Sequence, residues 1–414
     1  MGGEAPWRGR LAVVGIGLEG PAGMSPRGRR LLEAARTVVG HLRHLSLLPE
    51  AGGERIPWDG SPAGLEALLA GRDASSIVLL ASGDPNLFGI GGSLLRRHGR
   101  AAVEVEPAVS SLQLALARAG VPAAGAALLS AHGRPLAAAV GPARHARRAA
   151  LLTDPEHDPA AVVRALAAAG VEGDARVVVA ERLGGPEERV REGTVAKPPP
   201  GPYDPLAVVV LERSAAAGPG LGAPESAYAH ESGLITKAEV RAVVLAALDV
   251  AAEDVVWDLG SGSGSVAVEA GRMAGWGAVY AVERDPERAA VLERNLARHG
   301  SWNVEVVRAE AKEAMARLPA PDAVFIGGGG AALGRLVEGA VAALRRRRAG
   351  VPGRLVAALA TLESTLDAVE ACRRLDLGWR LAQVQVSRAR AVGSRLGWEA
   401  LNPVQVLAAE VPRG

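Results

Sequence analysis

The chain has 414 residues, two to three times the ~150 usual for one compact domain, so two domains are expected. Hydrophobic residues make up 49% and charged residues 22%, which excludes a mainly disordered or fibrous protein. The formal net charge is only +2 and no long basic block stands beside stacking aromatics, so a nucleic-acid surface is not expected.

Lysine occurs only at Lys197, Lys237 and Lys312, and the other basic residues are arginines, a bias that reads as the mark of a GC-rich genome. Arginine nevertheless suits recognition of a polycarboxylate, because its planar fork grips carboxylates bidentately. The single cysteine, Cys372, sits in a helical pattern and can form neither an intrachain disulfide nor a thiolate metal cage. The stretch Ala119 to Gly133 lacks Asp, Glu, Lys and Arg but is broken by Pro122 and Gly125, and is shorter than the ~20 residues of a membrane span. The apolar run Leu11 to Ile16 leads into a glycine turn rather than a cleavage site. A cytoplasmic protein with no membrane partner is the expectation.

In chain order, apolar runs at Leu11–Ile16, Ile77–Ala81, Val103–Glu106, Ala150–Thr153, Arg176–Ala180 and Leu206–Glu212 alternate with helical patterns, the rhythm of a βα architecture. Ser214 to Pro224 is rich in Gly, Pro and Ala without an amphipathic face, so residues 214–229 read as a linker between domains at 1–213 and 230–414. A second α/β cycle follows: helix Lys237–Leu248, strand Val255–Leu259, helix Val266–Met273, strand Ala278–Val282 and helix Pro286–His299. Strands Val304–Arg308 and Ala323–Ile326, helix Leu333–Arg346 and strand Arg354–Ala358 continue it. Gln383–Arg388 and Val404–Ala409 are expected to pair as a hairpin at the sheet edge, and the Arg345–Arg348 run suits a helix C-terminus.

The first glycine cluster, Gly15-Ile-Gly17-Leu-Glu-Gly20, has the spacing of a dinucleotide fingerprint. It is a poor one: Ser25-Pro26 marks the helix start beyond the third glycine, and Val38-Val-Gly-His41 stands where the acidic residue belongs. Further strand-like runs lead into Gly83-Asp84-Pro, into Ser110-Ser111 and into Ser130-Ala-His132-Gly133. These pieces, in this order, resemble the tetrapyrrole methylase family over residues 9–213. The resemblance implies a two-lobed α/β fold that binds S-adenosylmethionine in a cleft, with Gly83, Asp84, Ser110 and Ser111 at the cofactor.

The third cluster, Asp258-Leu-Gly260-Ser261-Gly262-Ser263-Gly264-Ser265, joins a strand to a helix through glycines that allow close approach of a ligand to backbone amides. Glu283 ends the next strand, where a carboxylate can accept from both ribose hydroxyls; the alternative is a charge at a helix N-terminus before Asp285-Pro286. Arg308-Ala-Glu310-Ala311-Lys312 and the glycines at 327–330 follow the third and fourth strands. With Gly233-Leu-Ile-Thr236-Lys237, Thr361-Leu-Glu-Ser364 and Leu401-Asn-Pro-Val404, this half resembles the Rossmann-like class I methyltransferases, and in detail the precorrin decarboxylase and methylase domains. The resemblance implies a second S-adenosylmethionine site at Thr236, Gly260 to Gly264, Glu283 and Ala311. Ala358 stands where these domains usually carry Asn.

Both halves together resemble the bifunctional tetrapyrrole methylases of cobalamin biosynthesis. That resemblance implies methylation of a precorrin at carbons 5 and 15 with loss of a ring acetate as carbon dioxide, and a homo-oligomer. Arg241, Arg388, Arg390 and Arg395 flank the second-half motifs and are candidates to grip the substrate carboxylates; solvated helix faces or loop charges are the alternative. Glu363 and His132 are candidate bases, against a helix cap and a turn. No metal is expected, since His157 and Asp158 near Asp154 fit a proline-bounded turn better. Two rival functions remain at this stage: an RNA methyltransferase fused to a degenerate methylase domain, and a noncatalytic tetrapyrrole-binding module.

Overall fold

The computed structural model describes residues 5–49, 53–214, 221–231, 235–328, 330, 333–347 and 351–412. Gly233 and Leu234 of the Thr236 motif, Arg348 of the arginine run and positions 215–220 of the expected linker lie outside the described residues. Backbone contacts divide the chain into two units, Met1–Ala216 and Ala217–Gly414.

The first unit opens with β1 (Leu11–Ile16), α1 (Pro26–Ala34), β2 (Thr37–Gly40), α2 (Leu42–Leu45), β3 (Glu54–Pro57), α3 (Pro62–Leu69), β4 (Ile77–Ser82), α4 (Ile90–Ala102) and β5 (Val103–Glu106). The strands form a parallel sheet in the order β3-β2-β4-β1-β5. β1 is buried along its whole length, as a parallel strand covered on both faces must be. Ser25 caps α1 through a hydrogen bond from Gly28 N at 2.9 Å, and Pro26 is the first helical residue, as the sequence indicates.

A second lobe follows with α5 (Ser111–Arg118), β6 (Ala127–Ser130), α6 (Leu136–Ala143), β7 (Arg148–Leu152), α7 (Pro159–Ala168), β8 (Arg176–Glu181), β9 (Arg189–Thr194) and β10 (Ala207–Glu212). Its mixed sheet runs β6-β7-β10-β8-β9. β9 carries no apolar alternation and is largely exposed at the edge, which is why no strand signal marks it in the sequence. Asp158 caps α7 by accepting from Ala161 N, while Asp154 accepts from Gly133 N and His157 N.

The second unit comprises α8 (Ala238–Leu248), β11 (Val255–Leu259), α9 (Ser265–Met273), β12 (Ala278–Val282), α10 (Pro286–His299), β13 (Val304–Val307), α11 (Ala311–Arg317) and β14 (Ala323–Ile326). It continues with α12 (Leu333–Leu344), β15 (Gly353–Leu359), α13 (Leu362–Arg374), β16 (Gly378–Val384), β17 (Ser387–Val392), β18 (Arg395–Ala400) and β19 (Val404–Val411). Seven strands form one sheet, β13-β12-β11-β14-β15-β19-β16, parallel through β15 and antiparallel at β19 and β16. Two buried clusters cover its faces, one around Trp257, Ile326 and Val341, the other around Val244, Phe325 and Leu292. The chain is thus α/β in both units, with a Rossmann-like second half.

Two expectations need correction. The segment Gln383–Arg388 straddles two strands: Gln383 and Val384 end β16 and pair with β19, whereas Arg388 belongs to a separate β17–β18 hairpin. β19 is also interior to the sheet, between β15 and β16. Both faces of β16 are exposed, so no period-2 burial pattern fixes its limits. Residues 221–229, expected within the linker, pack on the second unit: Tyr228 joins its core, and Ala229 N donates to Asn295 Oδ1 at 2.8 Å. Among the described residues no helix is long and apolar enough to cross a membrane.

Candidate functional site

In the first unit, three loops leave the carboxyl ends of β1, β4 and β5 side by side. Gly83 N donates to Ile16 O at 3.0 Å, and Ala108 N donates to Gly83 O at 3.1 Å. A Cβ at Gly15 would collide with the Gly83 carbonyl and the Ala108 amide, so only glycine lets these strands' exits approach. Asp84 turns its own loop by accepting from Asn86 N at 2.8 Å. Ser110 is buried and caps α5 in a reciprocal box with Gln113, and Ser111 is the first helical residue. The structure therefore brings Gly83, Asp84, Ser110 and Ser111 together. His132 lies exposed between β6 and α6, in a loop that meets the β4 loop where Arg134 stands over the Phe88 ring at 5.4 Å.

In the second unit, a cleft of about 1850 Å³ opens at the carboxyl ends of the parallel strands. Thr236, Gly260, Ser261, Gly262, Ser263, Glu283 and Ala311 all line it. Gly260 (φ 77°) and Gly262 (φ 55°) hold left-handed conformations that favour glycine. A Cβ at Gly262 would meet nothing within 4 Å, so the α-carbon of this glycine borders open space. Gly264 stands behind the loop as the residue before α9, where a Cβ would strike Leu292. Glu283 accepts from Gly262 N at 2.9 Å and from Asp285 N at 3.0 Å. Asp285, not Glu283, caps α10. Glu283 is thereby fixed against the glycine turn with its carboxylate in the cleft.

Asp258 supports the same turn from below. It accepts from Ser261 Oγ at 2.7 Å, and burial pushes its carboxyl up to about 7, opposed by the bonds from Ser261 and the Ala267 backbone and reinforced by the Glu283 charge. Glu269 of α9 is fully buried and collects four donors: Gly222 N (2.8 Å), Ala223 N (3.1 Å), Tyr228 Oη (3.0 Å) and Arg241 Nε (2.8 Å). Asn295 Nδ2 donates to both Ala229 O and Ser263 O at 2.8 Å. Residues 222–229 are thus strapped to the helix that carries the glycine turn.

Five of the expected residues lie elsewhere or play other parts. Arg241 has no exposed surface: beyond Glu269 it donates to Thr236 O at 2.7 Å and to Ala223 O, and lies over the Tyr228 ring. It holds Thr236 in place and cannot reach a substrate. The Arg388 fork is taken by Glu225 (2.9 and 3.1 Å) and Glu239 (3.0 Å from Nε), and its hydrogen bonds pull the Glu225 carboxyl down to about 2. Arg390 and Arg395 are exposed on the β17–β18 hairpin and do not line the cleft. Glu363 is exposed in the first turn of α13, which Thr361 caps from Ser364 N, and it too lies outside the cleft.

Comparison with known proteins covers both halves. Residues 10–199 match the Tetrapyrrole (Corrin/Porphyrin) Methylases and residues 226–410 the Precorrin methyltransferase domain. A precorrin-6Y C(5,15)-methyltransferase (decarboxylating) of Sinorhizobium sp is 37% identical over 407 residues, 97% of this chain and 95% of that protein. The chain belongs to the precorrin-6Y C(5,15)-methyltransferase (decarboxylating) family. Two shorter relatives each carry one named activity. A probable cobalt-precorrin-6B C(15)-methyltransferase (decarboxylating) of Pyrobaculum calidifontis is 38% identical, over 45% of this chain and 95% of its own length. A cobalt-precorrin-7 C(5)-methyltransferase of Salmonella typhimurium is 33% identical, over 49% of this chain and 98% of its own.

In this member of the precorrin-6Y methyltransferase family, the cleft lining includes cations to which the motifs assign no role, among them Lys237, Arg284, Arg288, Lys312 and Arg335. Arg284 pairs with Glu310 at 3.2 Å and Arg288 with Glu231 at 3.9 Å. The side-chain cations of Lys237, Lys312 and Arg335 have no hydrogen bond or ion pair among the described residues. Lysine's rarity is the signal that marks two of them, because two of the chain's three lysines line this one cleft.

Proposed function

We propose that the chain uses S-adenosylmethionine to methylate a precorrin at carbons 5 and 15 and releases the ring-C acetate as carbon dioxide, in cobalamin biosynthesis. The observation that carries this reading is the likeness along nearly the whole chain to a protein named for both methylations and the decarboxylation. The existence of separate C(5) and C(15) relatives, each spanning under half of this chain, supports one activity per unit: carbon 5 in the first, carbon 15 and the decarboxylation in the second.

The cleft residues fit the donor. Glu283 offers a fixed carboxylate to ribose hydroxyls, and the N-terminus of α9, which no side chain caps, suits a carboxylate such as the donor's methionine end. Thr236 borders the same space, as does Ala311. The donor supplies a methyl already activated on a sulfonium, so the protein's task is orientation and exclusion of water. Gly83, Asp84, Ser110 and Ser111 form the corresponding site in the first unit. A cleft of about 1850 Å³ exceeds the ~300–1,000 Å³ of a single small-ligand pocket and leaves room for a macrocycle beside the donor.

The ammoniums of Lys237 and Lys312 and the guanidinium of Arg335, unpartnered among the described residues, take the substrate-carboxylate role that Arg241 and Arg388 cannot. Lys237→Gln and Lys312→Gln are each expected to raise KM for the macrocycle about tenfold, the ~1.4 kcal/mol of one charge-assisted contact, with kcat little changed. An unaltered KM in both removes that role.

The subunits associate as a homo-oligomer in this reading. Ala389, Ala391, Leu396 and Trp398 share one face of the β17–β18 hairpin, and Leu396 and Trp398 are 81% and 77% exposed. A two-stranded hairpin with an uncovered apolar face needs a partner surface. The deciding experiment gives the full chain methyl-labelled donor and reduced precorrin-6. Two methyls and one carbon dioxide per macrocycle are expected; tight donor binding with no turnover refutes the reading.

A further inference from the structure

We propose that Ser82 and His44 form a proton relay that serves methyl transfer in the first unit. The proposal rests on the function assigned above and adds the group that takes up the proton released by the reaction.

β2 and β4 are neighbours in the parallel sheet, so their carboxyl ends lie side by side at Gly40 and Ser82. That edge is where open α/β sheets hold ligands. α2 starts immediately beyond β2 and carries His44 to Ser82, with Nε2 3.0 Å from Oγ. Arg43 donates to both: Nη2 to Ser82 Oγ at 2.7 Å and Nε to His44 Nε2 at 3.3 Å. Because a guanidinium only donates, His44 Nε2 is the lone-pair nitrogen and accepts the Ser82 hydroxyl proton.

His44 is buried, whereas Ser82 is exposed and directly precedes Gly83 and Asp84. Burial first, then the Arg43 and His41 charges, draw the imidazole down to about 4, against a Leu80 backbone hydrogen bond that raises it. The His41 ring lies edge-on at 6.2 Å. The imidazole is therefore neutral at neutral pH, and its Nε2 lone pair lies between the Ser82 hydroxyl at 3.0 Å and the more distant Arg43 Nε at 3.3 Å.

The step balances as follows. A carbon–carbon bond forms between macrocycle and methyl, the sulfur–methyl bond breaks, and its electron pair returns to sulfur. The macrocycle then carries one positive charge and becomes neutral by losing one proton. Ser82 Oγ accepts that proton while its own passes to His44 Nε2, and solvent removes it. A weak base suffices, because the methylated cation is a strong acid.

In the full chain, Ser82→Ala is expected to slow the carbon-5 methylation by about 100-fold or more, the usual scale of general-base catalysis. The singly methylated product then accumulates, with carbon dioxide release unchanged. Ser82→Thr, which keeps the hydroxyl, restores the rate to within about tenfold of wild type on that scale, and His44→Gln behaves like the alanine variant. A readout without donor uses the doubly methylated product in deuterium oxide: wild type exchanges deuterium into it and Ser82→Ala does not. Wild-type rate and exchange in Ser82→Ala overturn the relay. So does a variant whose only defect is weaker donor binding, with full kcat at saturation. A wild-type chain that transfers no methyl at all overturns the underlying function instead. Ser82 is exposed, so its variants test the relay even if His44→Gln fails to fold.

Discussion

Replacing Glu269 by Gln tests whether the strap over the second unit is held by a buried charge. Glu269 and Arg241 are both fully buried, and the carboxylate accepts from Arg241 Nε, Tyr228 and two backbone amides. The amide keeps one acceptor oxygen but turns an NH2 toward groups that also donate, and leaves the guanidinium without a counter-charge. Breaking a buried pair in this way costs about 3–5 kcal/mol, a large part of the ~5–15 kcal/mol that holds an ordinary domain folded. With a urea slope of about 2 kcal/mol per molar, the midpoint of the second unit falls by about 2 M. Trp257, buried in β11, reports that transition by fluorescence. The double variant Glu269→Met with Arg241→Met removes both charges and is expected to cost less than Glu269→Gln alone. Because Arg241 also holds the Thr236 carbonyl, Glu269→Gln weakens donor binding as well. A loss below about 1 kcal/mol for Glu269→Gln, or a double variant as costly as two independent losses, refutes this reasoning.

Three further outcomes follow from the second unit. Glu283→Gln removes the anionic acceptor for Gly262 N and Asp285 N, so calorimetry is expected to show donor affinity about 10–100-fold lower, or ~1.4–2.8 kcal/mol; unchanged affinity shows that Glu283 does not face the donor. Asp258 has a folded pKa raised from 3.8 to about 7, so the stability it lends is present below its unfolded pKa and is lost as pH rises through about 7. Asp258→Asn therefore gains on wild type between pH 4 and pH 8 by up to about 4 kcal/mol, and thermal melts with the same difference at both pH values contradict the assignment. Trp398→Glu places a charge on the exposed hairpin face and is expected to shift the sedimentation mass toward the monomer; an unchanged mass shows that this face is not the interface.

The glycine turns, Glu283 and the strand–helix alternation were legible because each is a local rule. Gly260 and Gly262 need left-handed backbone, and a carboxylate at a strand end needs only the strand's length to be placed. The arginines show the limit. Arg241 and Arg388 flank the right motifs, yet one is sealed against Glu269, 28 positions along the chain, and the other against Glu225 and Glu239, more than 140 positions away. A side chain's partner is set by what the fold brings to it, and no local pattern records that. The same holds for residues 221–229, whose Gly and Pro content reads as linker although their amides end on a buried carboxylate.

By itself the sequence determined that two α/β bodies are joined in one chain, and where glycine turns leave their strands, since periodicity and glycine chemistry act over a few residues. Only the tertiary structure decided which charges face the cleft. It placed Arg241, Arg388, Arg390 and Arg395 outside the cleft lining and left the side-chain cations of Lys237, Lys312 and Arg335 there without partners among the described residues. It also set His44 against Ser82, 38 positions apart, because β2 and β4 are neighbours in the sheet though not in the chain. Pairing of charges and hydrogen-bonding groups is a property of contact in space, and strand order, not sequence order, determines those contacts.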